Sequence, residues 1–311
     1  MSDKFIVMAD ATCDLTEDIR KEYDIEVAPA HYTVPGMTEQ TADLTWNAIG
    51  REEFYKGLGK NPKGYQTSPP NAHEFQQLFE KWTEKGYGIL VLTISSAMSG
   101  TFAFAEAAKK AVLAKKADAR ICVVDSLRFG PGTGLLAIKA SELRKEGKTL
   151  EEVAAYVEKT RLEVHQCGWL DDLGFVAKMG RINNAKAFFG TLAGIKSVGD
   201  LDVNGMTTIL GNVKGEKSGF EALLKYIEKT IKDPAKATVI VAHTNREKQA
   251  QTFKALIEEK FKPAKILMTT VFPSCGISIG PGLMAAYYYG TPVSQGLAEE
   301  KKIFAEISEK K

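Results

Sequence analysis

The chain has 311 residues, with 41 Lys plus Arg against 39 Asp plus Glu and a formal charge of +2. It therefore carries no general field to attract nucleic acid or an anionic membrane, and any anion must be held by local groups. Hydrophobic residues make up 44% and charged residues 26%, the composition of a soluble globular protein of about two domains, which excludes disordered, collagenous and coiled-coil chains.

In chain order, residues 5–9 read as a strand, 16–23 as a helix and 25–28 as a second strand. A helix opened by Asn71, a strand at 89–94, a helix at 102–114, a strand at 121–124 and a helix at 131–144 continue the alternation. Continuous apolar runs such as Ile89-Leu90-Val91-Leu92 predict parallel strands buried on both faces by covering helices, with ligands at the strand carboxyl ends. Beyond 150 the rhythm loosens to a helix at 150–162, a turn-rich stretch to Arg181 and a short helix ending in Ala187-Phe188-Phe189. Candidate strands at 195–198, 201–203 and 207–213 are separated by the turn pairs Gly199-Asp200 and Asn204-Gly205. A helix at 220–231, a strand at 238–242, a helix near 247–259, a strand at 266–270 and a charged amphipathic helix at 299–311, with Ile303, Phe304 and Ile307 on one side, complete the chain. The predicted organisation is an α/β domain over 1–150 and a mixed α/β domain over 151–311.

Cys13, Cys122, Cys167 and Cys275 are scattered without a CxxC pair, so neither a disulfide framework nor a zinc site is expected. No apolar run reaches the ~18–20 residues that span a bilayer, and a cytoplasmic location is expected. A P-loop, a GxGxxG fingerprint after a strand and HExxH are all missing, which removes support for ATP and NAD.

Hydroxyls carry the remaining signal. Ser95-Ser96-Ala97-Met98-Ser99-Gly100-Thr101 joins an apolar strand to an Ala-rich helix, where side-chain hydroxyls, free backbone N–H groups and the positive helix end suit a carboxylate or phosphate. The competing reading is one hydroxyl capping the helix. Thr67-Ser68-Pro69-Pro70 reads equally as a ligand loop or as turn chemistry. Asp10, Asp14 and Asp125-Ser126 end strands and are read as scaffolds that hold loops. Arg181, in Lys178-Met179-Gly180-Arg181-Ile182, is a phosphate clamp or a solvated charge. Ser278-Ile279-Gly280-Pro281-Gly282 follows Ser274-Cys275-Gly276, with glycines that permit close backbone approach. Of His31, His73, His165 and His243, only His243 ends a strand, and a structural role is favoured for it over that of a general base.

In this order, Asp10-x-x-x-Asp14, Thr67-Ser68-x-Pro70, Ser95-Ser96-x-x-Ser99-Gly100-Thr101, Asp125-Ser126, Gly180-Arg181-Ile182 and Gly280-Pro281-Gly282 resemble the DegV family over nearly the whole chain. The resemblance implies a three-layer α/β/α domain with a mainly parallel sheet and a two-layer α/β domain with a mixed sheet. It further implies a bacterial protein that has no catalytic residues, metal or cofactor of its own and binds a long-chain fatty acid in a tunnel between the domains. Its partner would be an ATP-dependent, dihydroxyacetone-kinase-like fatty acid kinase that phosphorylates the carboxylate, with at most transient membrane contact. Carried over residue by residue, Thr67 and Ser96 bind the carboxyl group, with Ser68, Ser95 and Ser99 adjacent, and Arg181 contacts the partner or its phosphate. Ser278 and Gly280 are assigned to the carboxyl site as well: Ser278 stands where many members have a histidine that helps hold the carboxyl group, two residues before Gly280, and a hydroxyl donates to a carboxylate but carries no charge. Phe188, Phe189, Leu192 and Ile195 are candidates for the tunnel or simply for the second core. Two alternatives stay open: a stand-alone enzyme acting on a small phosphorylated or carboxylated metabolite through His243 or Asp125, and a lipid sensor without a kinase partner.

Overall fold

A computed structural model describes residues 4–184 and 194–309. In chain order the elements are β1 (Phe5–Asp10), α1 (Glu17–Tyr23), β2 (Ile25–Ala28), β3 (Ala30–Thr33), β4 (Gln40–Ala42), α2 (Arg51–Lys60), β5 (Gln66–Ser68), α3 (Ala72–Glu84), β6 (Gly88–Thr93), α4 (Thr101–Lys115), β7 (Ile121–Asp125), α5 (Pro131–Lys145) and α6 (Leu150–Thr160). They continue with β8 (Val164–Leu170), α7 (Gly174–Lys178), β9 (Ile195–Leu201), β10 (Thr207–Lys214), α8 (Glu216–Thr230), β11 (Thr238–His243), α9 (Glu247–Phe261), β12 (Lys265–Thr270), α10 (Pro273–Ile279), β13 (Met284–Tyr289) and α11 (Ala298–Glu309). The chain divides into two compact units: one takes residues 1–48, 64–161 and 272–274, the other 49–63, 162–271 and 275–311. It passes between them more than once, so the border is not a single cut.

In the first unit a parallel sheet has the order β2-β1-β6-β7. Its strands are apolar on both faces because both are covered. Ile6, Met8, Ile89, Val91 and Val123 meet Phe75 and Phe79 of α3 and Ala105 and Val112 of α4, while the alternate positions, such as Val7 and Leu90, are buried on the side of α5 and α6. The result is the three-layer α/β/α arrangement. Reciprocal caps start two of the helices, Asn71 with Glu74 at α3 and Thr149 with Glu152 at α6, each typically worth ~1 kcal/mol. A small antiparallel sheet, β4-β3-β5, completes the unit; its strands are too short and too polar to announce themselves in the sequence.

The second unit has a six-stranded sheet of order β10-β9-β8-β13-β11-β12, in which only β11 and β12 pair in parallel. Helices α8, α9 and α11 bury one face around Trp169, Phe220, Tyr226, Phe253 and Phe304, with Phe220 stacked 5.4 Å from Phe253. The charged tail is therefore a packing helix: Phe304 and Ile307 point into this core as the periodicity predicts.

Several elements differ from the sequence expectation. Gly199-Asp200 is no turn but the middle of β9, where buried Asp200 accepts hydrogen bonds from Gln166 N (2.8 Å), Leu201 N (2.7 Å) and Tyr226 Oη (3.1 Å) and pairs with His165 Nδ1 (2.7 Å). The turn-rich stretch before Arg181 contains β8, which is wholly buried; His165, Gln166 and Gly168 disguise it, because their partners lie on other strands. Helix α2 was missed because Gly57 and Gly59 each lower helix propensity by ~1 kcal/mol. Asn204-Gly205 does turn where expected, with Asp202 Oδ1 accepting from Asn204 N and Met206 N. Phe188, Phe189 and Leu192, and the short helix assigned around them, lie outside the described residues, and Ile195 begins β9.

Candidate functional site

The carboxyl edge of the parallel sheet gathers polar strand ends. The register sets Ala9 beside Leu92 and Thr93 beside Asp125, so Asp10, Thr93 and Asp125 form a row. Asp10, 1% exposed, accepts from Ile94 N (2.7 Å) on one oxygen and from Thr12 N (2.8 Å) and the Thr12 hydroxyl on the other. Burial raises its pKa in spite of these three hydrogen bonds. Asp14 has a left-handed backbone (φ 50°) and accepts from Phe272 N (2.8 Å). Asp125 Oδ1 accepts from Ser96 N (3.1 Å) and Leu127 N (3.0 Å). All three acids are scaffolds. Helix α5 closes over the first of these loops because residue 134 is glycine: a Cβ there would fall 2.7 Å from Cys13 O. The Cys13 thiol beneath is pushed up to about 12 by burial, which leaves it unreactive. All four cysteines are free thiols.

The serine loop folds back on buried Ser95. Met98 and Ser99 donate N–H to Ser95 O (2.9 and 3.2 Å), Ala97 N donates to Ser95 Oγ (3.3 Å), and Ser95 N donates to Arg128 O (2.9 Å). Loop amides, expected to be free, are therefore engaged from Ser95 to Ser99: Ala97, Met98 and Ser99 within the turn, and Ser95 and Ser96 by Arg128 O and Asp125 Oδ1, at or just past the end of β7. Nor does a hydroxyl cap α4: its N-cap is Gly100, without a side-chain cap, and Ser99 Oγ lies 2.8 Å from Thr101 Oγ1. What the loop offers a ligand is hydroxyls, chiefly that of exposed Ser96, beside the first turn of α4.

Thr67 lies on the outer strand β5, paired opposite Tyr32, and its Oγ1 donates to His31 O (3.1 Å); Ser68 beside it is exposed. β3 begins two residues after β2 ends, and Ala11 N binds Ala28 O (2.9 Å), so the small sheet springs from the same carboxyl edge.

The other site residues named from the sequence belong to the second unit. Ser278 is half-buried on α10. Gly280 follows at φ +74°, where a Cβ would lie 2.4 Å from the Phe175 ring, so the close approach its freedom permits is to the segment after β8. Arg181, after Gly180, donates to Met179 O. Its turn is fixed by Asn184, whose side-chain amide both accepts from Ile209 N and donates to Ile209 O at 2.9 Å, standing in for a strand residue beside β10. A cleft of about 510 Å³ in this unit, lined by Tyr55, Lys56, Asp171, Asp172, Arg246 and Gly282 among others, was not foreseen, since its walls come from segments distant in sequence. Among the described residues no His, Cys, Asp and Glu cluster is arranged for a metal ion, and no helix is long and apolar enough to cross a membrane.

His243 is buried at the end of β11. Its Nδ1 accepts from Arg246 N (2.9 Å), and its Nε2 lies 3.3 Å from Glu247 Oε2. Burial, helped by Arg51 and opposed by Glu247, holds its pKa down to about 4, so it is a poor base near neutrality. The unfolded chain takes up this proton near the ordinary pKa of 6.5, before the folded one does. Stability from His243 is thus complete above that value and declines as pH falls toward 4, by about 3 kcal/mol in all. Urea midpoints at pH 7 and 4.5 should show this loss in the native protein and a flatter profile in His243→Gln; Asp10, whose raised pKa acts in the opposite sense, is common to both.

The sequence profile of the DegV family, described as an uncharacterised protein family, matches residues 4–291. A DegV domain-containing protein of Clostridium perfringens is 29% identical over 289 residues, which cover 92% of this chain and 98% of that protein. Among solved structures, a DegV family protein of Thermus thermophilus described for its fatty acid binding has a TM-score of 0.82 at 26% identity, covering 92% of this chain and 99% of that one. The Fatty Acid Kinase (Fak) B3 protein of Streptococcus pneumoniae, loaded with linoleic acid, has a TM-score of 0.77 at 21% identity, with 92% and 99% covered. A profile match across nearly the whole length, on a parallel-sheet unit and a mixed-sheet unit, establishes that the chain belongs to the DegV family.

Proposed function

We propose that this protein binds a long-chain fatty acid by its carboxyl group and presents that group to an ATP-dependent kinase partner, without catalysing a reaction itself. What supports the reading is two hydroxyl-bearing segments in the first unit, the Ser95–Ser99 loop at the carboxyl edge of the parallel sheet and Thr67-Ser68 on the small sheet that springs from that edge. Ser96 has its hydroxyl exposed, with no side-chain hydrogen bond among the described residues. Thr67 donates to a backbone carbonyl and can exchange it for a carboxylate, a stronger, charge-assisted acceptor. Ser68, Ser95 and Ser99 flank these two. Fatty acid binding by the Thermus thermophilus relative and linoleic acid in the pneumococcal protein support the ligand class, and the latter's kinase name supports the partner. Arg181, on a turn pinned by Asn184, is assigned to partner contact.

Affinity in this reading comes from the tail. At roughly 0.8 kcal/mol per buried methylene, a chain of about 14 gains on the order of 11 kcal/mol before ordering costs. The hydroxyls decide which end is held. Native mass spectrometry of gently purified protein is expected to show one fatty-acid adduct, and delipidated protein should take up palmitate or oleate. Protein that is empty and refuses both acids would overturn the proposal.

A further inference from the structure

Buried hydroxyls of the first unit that lack a hydrogen bond among the described residues include Thr93 Oγ1 and Ser274 Oγ. Thr93 belongs to the strand-end row, on the sheet face that Ile89 and Val91 turn toward α3 and α4. Ser274 is placed differently. It is 6% exposed and lies in the first turn of α10, two residues after Phe272, whose N–H is bound by Asp14. Phe272 is also stacked on Trp46 at 5.4 Å. The loop from Asp10 to Asp14 thus ties down two segments at once: Asp10 holds Ile94, at the entrance to the serine loop, and Asp14 holds the approach to Ser274. Ser278 follows one helical turn later, so the two serines share a face of α10.

A hydroxyl buried without a partner weakens a fold that could carry alanine at the same place. Its retention is explained if something outside the chain completes it. We propose that Ser274 is a further ligand-binding residue, its Oγ donating a hydrogen bond to the carboxyl group of the bound acid alongside Ser96 and Thr67. The proposal rests on the fatty-acid reading and adds to it a donor that no local motif marks.

The test compares Ser274→Ala with the native protein, using palmitate labelled with 13C at the carboxyl carbon. The variant should melt at or above the native temperature when ligand-free, since it loses no internal hydrogen bond. Its palmitate affinity should fall about tenfold, and ionisation of the bound carboxyl, followed by the 13C shift, should move up by about one pH unit because a donor to the charged form is gone. Unchanged affinity and titration would overturn the proposal while palmitate binding by the native protein left the fatty-acid reading standing. Weaker binding with an unmoved titration, or a variant that fails to fold, would make Ser274 a packing residue and overturn it as well. Native protein that does not bind palmitate would overturn both.

Discussion

Asp200→Ala is expected to destabilise the second unit by about 3–5 kcal/mol, the range seen when one member of a buried charged network is removed, with a fall in Tm of roughly 10 °C. The side chain is fully buried and serves two backbone N–H groups, Gln166 and Leu201, together with the Tyr226 hydroxyl and His165 Nδ1. Alanine leaves all four without that acceptor in the middle of a sheet, where water does not replace it. Tyr226 is already held protonated, its pKa raised well above the ordinary value by burial and then by Asp200, so it remains a donor seeking an acceptor. Asp200→Asn keeps one oxygen for the two amides but presents an N–H₂ group toward other donors, and should fall between alanine and the native protein. Urea unfolding of the three proteins measures the series. An alanine variant within about 1 kcal/mol of the native value would mean that the neighbours find new partners.

The double substitution Thr67→Ala with Ser96→Ala should have the largest effect on ligand binding. Each hydroxyl donating to a charged carboxylate is worth about 1.5–3 kcal/mol, so losing both should weaken palmitate binding by on the order of 100-fold or more. The tail still supplies its burial energy, so binding should be reduced without being abolished, and the stability of the ligand-free protein should change little, because Ser96 is exposed and Thr67 gives up a single bond to His31 O. Thr67→Ser, which keeps the hydroxyl, should stay near native affinity. Calorimetric titration with palmitate distinguishes these cases, and a double variant with native affinity would place the head group away from both residues.

Much of the first unit was legible because its signals are local. A buried parallel strand needs apolar residues at every position, so β1 and β6 appear as unbroken runs, and hydroxyls between such a run and an Ala-rich helix fall at the carboxyl edge by topology alone. The second unit hides its strands because it satisfies polar side chains inside the sheet. Asp200 looks like a turn residue until the donors of β8 and α8 are in place, and His165 and Gln166 mask β8 for the same reason. Donor bookkeeping in the site was equally hidden. That Ser96 N is taken by Asp125, 29 residues on, or Phe272 N by Asp14, 258 residues back, follows from tertiary pairing and not from spacing. Ser274 could be noticed only after such pairings had been assigned.

Neither unit is a contiguous piece of chain, and that bears on how the molecule is made. The first unit recruits residues 272–274 only after 162–271, which belong elsewhere, have been synthesised. Until then the Asp14 carboxylate lacks the Phe272 amide and Trp46 lacks the Phe272 ring. The amino-terminal unit therefore leaves the ribosome unfinished, and a gene fragment stopping at residue 161 encodes a body with one of its own clasps missing.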